Sequence, residues 1–200
     1  MDPVTHAVIG MSLSKATGNG ISLADPVSMG IIAGAVFPDI DIIYQKWGYY
    51  AYLKNHRCFS HSVVGLAVSA MFIAVVLGGL YNYENILSLF LWSFLGCLSH
   101  TLYDTCNSFG AKLLWPFVNK KLTLNVLTVA DPLFFVFLLG YVLGKGSMQN
   151  YFLIATILYL VLRMVMRTFI KYNSYKQFGE TCKKINLLPS MVGSFKWYFV

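Results

Sequence analysis

Two hundred residues that are 57% hydrophobic, 16% aromatic and only 12% charged exclude an ordinary soluble domain, in which about a quarter of residues carry charge. The net charge of +7 comes from 15 Lys and Arg against 8 Asp and Glu. In so apolar a chain that excess marks loops beside anionic lipid, and nucleic-acid binding is the poorer reading.

The pattern predicts an all-α polytopic membrane protein. Its opening, MDPVTHAVIG, has no basic residue ahead of the apolar run, so it does not read as a secretory signal. Residues 4–17 and 26–37 are each roughly 20 Å of helix, short of the about 20 residues that a bilayer core requires. GNGISLAD between them offers a two-glycine turn and a cap at Asp25. Two short helices folded as a re-entrant hairpin are expected, with a pair of tilted, incomplete spans as the rival. A hairpin returns both ends to one side and brings His6 near Asp39. Pro38, in FPDID, interrupts helix geometry there.

Residues 63–80, 86–103 and 151–170 are long enough to span. Residues 133–143 join them if the helix begins near Asp131–Pro132, where the Asp can cap and the Pro can open it. About four transmembrane helices result. Loop charge alternates: 44–60 holds Lys46, Lys54 and Arg57, 81–85 only Glu84, 105–130 Lys112, Lys120 and Lys121, and 144–150 one lysine. The positive-inside rule puts the first and third of these, and the basic segment after residue 170, in the cytoplasm. Residues 1–170 thus read as an integral membrane domain with its site at the cytoplasmic face. Residues 171–200 read as a basic C-terminal segment whose finish, SFKWYFV, looks like a strand beginning. It is expected to open a further domain or to pack back on the membrane surface.

The chemistry-bearing residues cluster. His6 starts the first short helix, Asp39 and Asp41 follow the second, and His56 and His61 bracket the octet NHRCFSHS. His100 and Asp104 form an i, i+4 pair on one helix face. All fall at the cytoplasmic ends of their segments. Imidazole and carboxylate are ligands for zinc, with manganese or iron as alternatives where oxygen ligands are numerous, and ionisable groups in membranes are costly without a role. Ser60 or Ser62 can cap the helix that begins near His61, leaving His56 on the loop.

THAVIG, FPDID, HRCFSHS and HTLYD, in this order, resemble motifs of the bacterial membrane-bound metal-dependent hydrolases, including the LexA-regulated inner-membrane type. The resemblance covers roughly residues 1–135. That family is distantly similar to zinc-dependent phospholipase C and the single-strand-specific zinc nucleases. The resemblance implies that His6, Asp39, His61, His100 and Asp104 are metal ligands, with Asp104 a bridge if two ions bind. The soluble enzymes' further His and Glu ligands have no counterpart, since no histidine follows Asp104; one or two ions are expected.

Other residues have two readings. Arg57 either stabilises a phosphoryl oxygen or anchors the loop at the headgroups. Arg163 and Arg167 share a face of the last span; snorkelling explains Arg167, while Arg163, about 10 Å deeper, calls for a carboxylate or lipid phosphate. Cys58, Cys97, Cys106 and Cys182 form no CxxC pair and read as reduced thiols, Cys97 within a helix. Asp131 reads as a cap, LLWPF as an interfacial anchor, and Glu84 and Glu180 as solvated loop residues. Three functions compete. The leading one is a hydrolase in which the ion activates water against an anionic lipid phosphoester, with Asp41, His56 and Arg57 in catalytic roles. A structural or regulatory protein with a stabilising metal comes second and an ion transporter third. The topology has its own test: an engineered Cys at Asn82 should be labelled from outside intact cells and one at Asn119 spared, and the reverse pattern would overturn it.

Overall fold

The computed structural model describes residues 2–18, 20–178, 185–190 and 194–199; Asn19, Glu180 and Cys182 lie outside these. Helices dominate, and side chains suited to capping begin most of them. α1 (Pro3–Ala16) starts on Asp2, which accepts from the Thr5 amide at 2.9 Å. α2 (Pro26–Val36) starts on Asp25, which accepts from the Val27 and Ser28 amides at 3.3 and 2.8 Å. Gly18 and Gly20 turn the chain between them at φ 83° and 70°, a region glycine enters without steric cost. Ser14 and Ser28 join the two helices at 3.0 Å.

Pro38 does interrupt the α-helix, yet the chain stays helical. Residues Phe37–Trp47 form a 3-10 helix that runs on from α2, tightening the turn where proline lacks its N–H. The composite Pro26–Trp47 is therefore long and apolar enough to cross a membrane. The short α3 (Tyr49–Asn55) follows. α4 (Val63–Tyr81) is capped by Ser62 to the Gly65 amide at 3.1 Å, and α5 (Ile86–Thr105) by Asn85 to the Ser88 amide at 3.0 Å. Asp131 caps α6 (Pro132–Leu143) and α7 covers Ser147–Phe178.

Among the described residues four segments are long and apolar enough to span, the number expected, but their membership differs. Pro26–Trp47 joins α4, α5 and α7, whereas α6, at 12 residues, falls short. α1 and α2 do fold back on each other, but not as a short re-entrant hairpin: α2 runs on into a segment long enough to span, and the turn between them reaches the far end of α4, where Tyr81 O–H donates to the Leu23 carbonyl at 2.6 Å. At the same end Lys15 donates to the carbonyls of Tyr141, Val142 and Gly144 at 2.9, 3.0 and 2.6 Å, satisfying acceptors that the end of α6 leaves unpaired.

α2 packs into the groove between α4 and α5, around Ile31, Leu66, Ala70, Leu77, Leu89 and Cys97. Glycines let the backbones meet. A Cβ on Gly34 would overlap the Ser93 carbonyl, and one on Gly96 would overlap that of Ile31; small residues at membrane-helix contacts allow this approach. A second core joins α1, α6 and α7 through Ile9, Leu127, Phe134, Leu138 and Tyr159.

The C-terminal segment contains the strand expected there. β1 (Leu187–Pro189) and β2 (Trp197–Phe199) pair antiparallel, Leu188 opposite Tyr198. This hairpin packs back on the helices. Ser194 Oγ donates to Asp131 at 3.2 Å, and the Trp197 ring lies 4.9 Å from the Arg163 guanidinium. Arg163 also donates from Nε to the Val126 carbonyl at 2.8 Å. Its direct contacts among the described residues are thus a carbonyl and an indole face, while the carboxylate that was expected, Asp131, acts on it only through its charge. Asp131 is a cap and also accepts from Tyr159 O–H at 2.8 Å.

Gly96→Val should lower the thermal midpoint of the detergent-purified protein, by the equivalent of about 1–3 kcal/mol, because the new methyls meet backbone. Gly79→Ala, with nothing within 4 Å of the added Cβ, should leave it unchanged or raise it slightly. Equal midpoints for Gly96→Val and wild type would contradict the close α2–α5 contact.

Candidate metal centre

Chain ends and breaks, rather than helix middles, deliver the site. The change from α-helix to 3-10 helix at Phe37 presents Asp39 beside the last turns of α5. The turn before α4 carries His61, held there by the Ser62 cap. His100 and Asp104, one turn apart, complete the group from α5. One ligand atom from each of Asp39, His61, His100 and Asp104 lies within 4.8 Å of the others.

The separations match a shared ion. His61 Nε2 stands 3.1 Å from His100 Nε2, 3.3 Å from Asp104 Oδ2 and 3.7 Å from Asp39 Oδ1. His100 Nε2 is 3.4 Å from Asp39 Oδ1 and 3.8 Å from Asp104 Oδ2. Ligand atoms about 2.0–2.2 Å from a common tetrahedral ion are roughly 3.3–3.6 Å apart.

Proton placement, assigned from the hydrogen-bond network, sharpens the case. The Ala35 carbonyl can only accept, so His100 Nδ1 donates to it at 2.7 Å. Ser60 O–H donates to Asp41 Oδ2 at 2.9 Å, so its oxygen accepts from His61 Nδ1 at 2.9 Å. With Nδ1 so engaged, each ring turns its Nε2 towards the other and towards two carboxylates, and in the neutral tautomer both nitrogens offer lone pairs there. Burial lowers the His61 pKa from its ordinary value, against the raising influence of Asp104. Lone pairs so placed repel unless a cation lies among them. The donor set fits a divalent ion.

The remaining candidates surround this group. His6 stacks on His100, ring centroids 3.7 Å apart, and its Nε2 is 3.3 Å from Asp104 Oδ1; it holds the far oxygen of Asp104 and stands outside the four. Asp41 faces His56 Nδ1 at 2.8 Å, accepts from the Arg57 amide at 2.9 Å and from Ser60. With Asp39 and His56 it forms a second group whose atoms also lie within 4.8 Å. Arg57 is neither headgroup anchor nor free guanidinium. It is 4% exposed, its Nε 3.1 Å from Asp104 Oδ2 and its Nη1 3.1 Å from Asn107 Oδ1. Its φ of 60° is a left-handed conformation, costly for a side chain of this size. Cys58 lies outside both groups.

Asn107 is a residue the sequence reading missed. Fully buried, it donates to Asp104 Oδ1 at 3.2 Å and accepts from Arg57 and from the amides of Phe109 and Gly110. A signal existed: His100, Asp104 and Asn107 continue one helical face at i, i+4 and i+7.

With this geometry in place, comparison with known proteins becomes informative. The model of the YdjM inner membrane protein family matches residues 1–172. The chain belongs to that family. It is also 28% identical over 203 residues to YfhP of Bacillus subtilis (strain 168), an uncharacterized protein; the match takes in 96% of this chain and 62% of YfhP. No solved structure matches. Family membership supports the bacterial inner-membrane part of the sequence reading, and Asp39, His61, His100 and Asp104 all lie within the matched span.

Replacing His61, His100 or Asp104 with Ala should strip bound metal, each removing one of about four ligands. Asn107→Ala should weaken metal affinity about 10–100-fold, as loss of a supporting hydrogen bond does. Elemental analysis of folded, purified variants measures both. Wild-type metal content in the His100 and Asp104 variants would contradict the assignment.

Proposed function

We propose that this chain is a membrane-bound, metal-dependent hydrolase acting on an anionic phosphoester, a lipid or related amphiphile, at the cytoplasmic membrane surface. The observation that carries the reading is the meeting of two imidazole nitrogens and two carboxylates beside an open cavity. That cavity is lined by Asp39, His56 and Arg57. Three of the four ligands are fully buried, while Asp39 is 18% exposed, so one side of the group faces the space where a substrate would sit. A closed structural site has no such side.

Zinc suits two imidazoles and two carboxylates best, with manganese or iron as alternatives. The Asp39–Asp41–His56 group gives room for a second ion. A divalent ion held by these residues supplies Lewis acidity and a charge that favours a developing oxyanion.

The protein's own groups supply the rest. Asp41 accepts the Nδ1–H of His56 at 2.8 Å, and Tyr52 stacks on that ring at 4.5 Å between centroids. Together they fix its tautomer and plane, leaving Nε2 to take a proton from attacking water and return it to the leaving oxygen. Arg57 contributes positive charge at the cavity wall while bracing Asp104. That double duty sets the expectation for Arg57→Ala. Truncation would leave Asp104 short of its partner, and metal affinity should fall along with turnover.

His56→Ala separates catalysis from metal binding. It should retain the ion and lower turnover of a lipid phosphoester by about 10²–10⁴-fold, measured on metal-loaded protein in mixed micelles. Turnover equal to wild type would contradict the assigned role. Absence of hydrolysis by metal-loaded wild type, across lipid phosphomonoesters and phosphodiesters, would favour a stabilising metal.

A further inference from the structure

The cavity beside the four ligands has a volume of about 720 Å³, within the range of about 300–1,000 Å³ that holds small-molecule ligands. Its lining is of two kinds. Asp39, His56, Arg57 and Lys121 are polar; the walls are mainly apolar, among them Ile40, Tyr49, Tyr52, Leu53 and Phe109. Ile40, Leu53 and Phe109 are each about half exposed, an apolar surface that an aqueous metabolite would leave unused.

The charges are unequal. The Arg57 cation is matched by Asp104 at 3.1 Å. Lys121 has no carboxylate within ion-pair distance among the described residues, and its neighbours include the cations Arg57 and Lys112. Partial burial and these two cations hold its ammonium below the usual value, with Cys58 acting the other way. An ammonium in that position is complementary to an anion.

A second cavity of about 890 Å³ lies beyond the 3-10 segment, with Cys58, Trp115 and Phe72 in its wall. It reaches Asp41 and Ser60 but none of the four ligands. The first cavity is the one that communicates with the chemistry.

We propose that the 720 Å³ cavity binds the phosphate-bearing end and adjoining acyl segment of an anionic membrane lipid, and that Lys121 selects for its negative charge. Any hydrolysis of the bound lipid rests on the function proposed above; the binding itself does not. Ile40, Tyr49 and Leu53 cover the first methylenes of the chain, and the remainder stays in the bilayer. Lys121 donates to the phosphate in a charge-assisted hydrogen bond.

The test is equilibrium binding of a non-hydrolysable dioctanoyl phosphonate analogue of phosphatidate to the purified full chain in nonionic micelles. Glycerol phosphate supplies the headgroup alone and dioctanoylglycerol the chains alone. The phosphonate lipid should bind at least about tenfold more tightly than either. Lys121→Gln should weaken it about tenfold or more, and Lys121→Arg should restore most of the loss, with metal content unchanged. Leu53→Asp, at an exposed position, should also weaken it. Glycerol phosphate binding as tightly as the lipid would overturn the acyl component. Equal binding of dioctanoylglycerol, or wild-type affinity in Lys121→Gln, would overturn charge selection. Binding without turnover of the corresponding phosphate ester would sink the hydrolase reading and leave the lipid site standing.

Discussion

Two imidazole nitrogens 3.1 Å apart, each facing carboxylate oxygen while the other nitrogen of its ring is held by a hydrogen-bond partner, set the terms for the rest of this molecule. Such an arrangement is unfavourable in a low-dielectric interior unless positive charge lies within it. Arg57 supplies part of that charge from one side of Asp104. Its guanidinium is in turn fixed by Asn107, whose own oxygen is held by two loop amides. The polar groups at the centre are consequently ordered by several layers of contact before any ion is considered.

The helices serve that arrangement by close approach. His100 reaches the Ala35 carbonyl because α2 and α5 meet backbone to backbone at Gly34 and Gly96. The octet before α4 lies tightly on that helix because Gly65 has no side chain: a Cβ there would overlap the Phe59 carbonyl. Packing and chemistry are therefore coupled. A methyl group added at these contacts reaches the tautomer of a histidine through one or two hydrogen bonds, without touching the histidine itself.

Much of this was legible in local sequence. Apolar length identified α4, α5 and α7, and capping chemistry located Asp25 and Asp131 at their helix starts while leaving α4 to Ser60 or Ser62, of which Ser62 is the cap. The i, i+4 spacing of His100 and Asp104 put them on one face. What escaped was tertiary or depended on a continuous choice. Pro38 correctly signalled a break in the α-helix, but whether the chain then leaves helical geometry or tightens into a 3-10 helix depends on what Asp39 and Asp41 meet across the fold. Partners of Arg57 and Arg163 lie 47 and 37 residues away, and no periodicity reports contacts at that range. The Ala35 carbonyl, a backbone atom, leaves no mark in sequence at all. His6 was placed near the site by its hairpin, while its position beside the four ligands follows from ring stacking on His100.

X-ray absorption at the edge of whatever ion the purified, detergent-solubilised protein holds tests the central claim most directly. Two imidazoles and two carboxylate oxygens predict a first shell of nitrogen and oxygen at about 2.0–2.2 Å, with outer-ring imidazole scattering and no sulfur. A sulfur shell, a shell without imidazole scattering, or protein that takes up no ion when supplied with zinc, manganese or iron would contradict the account.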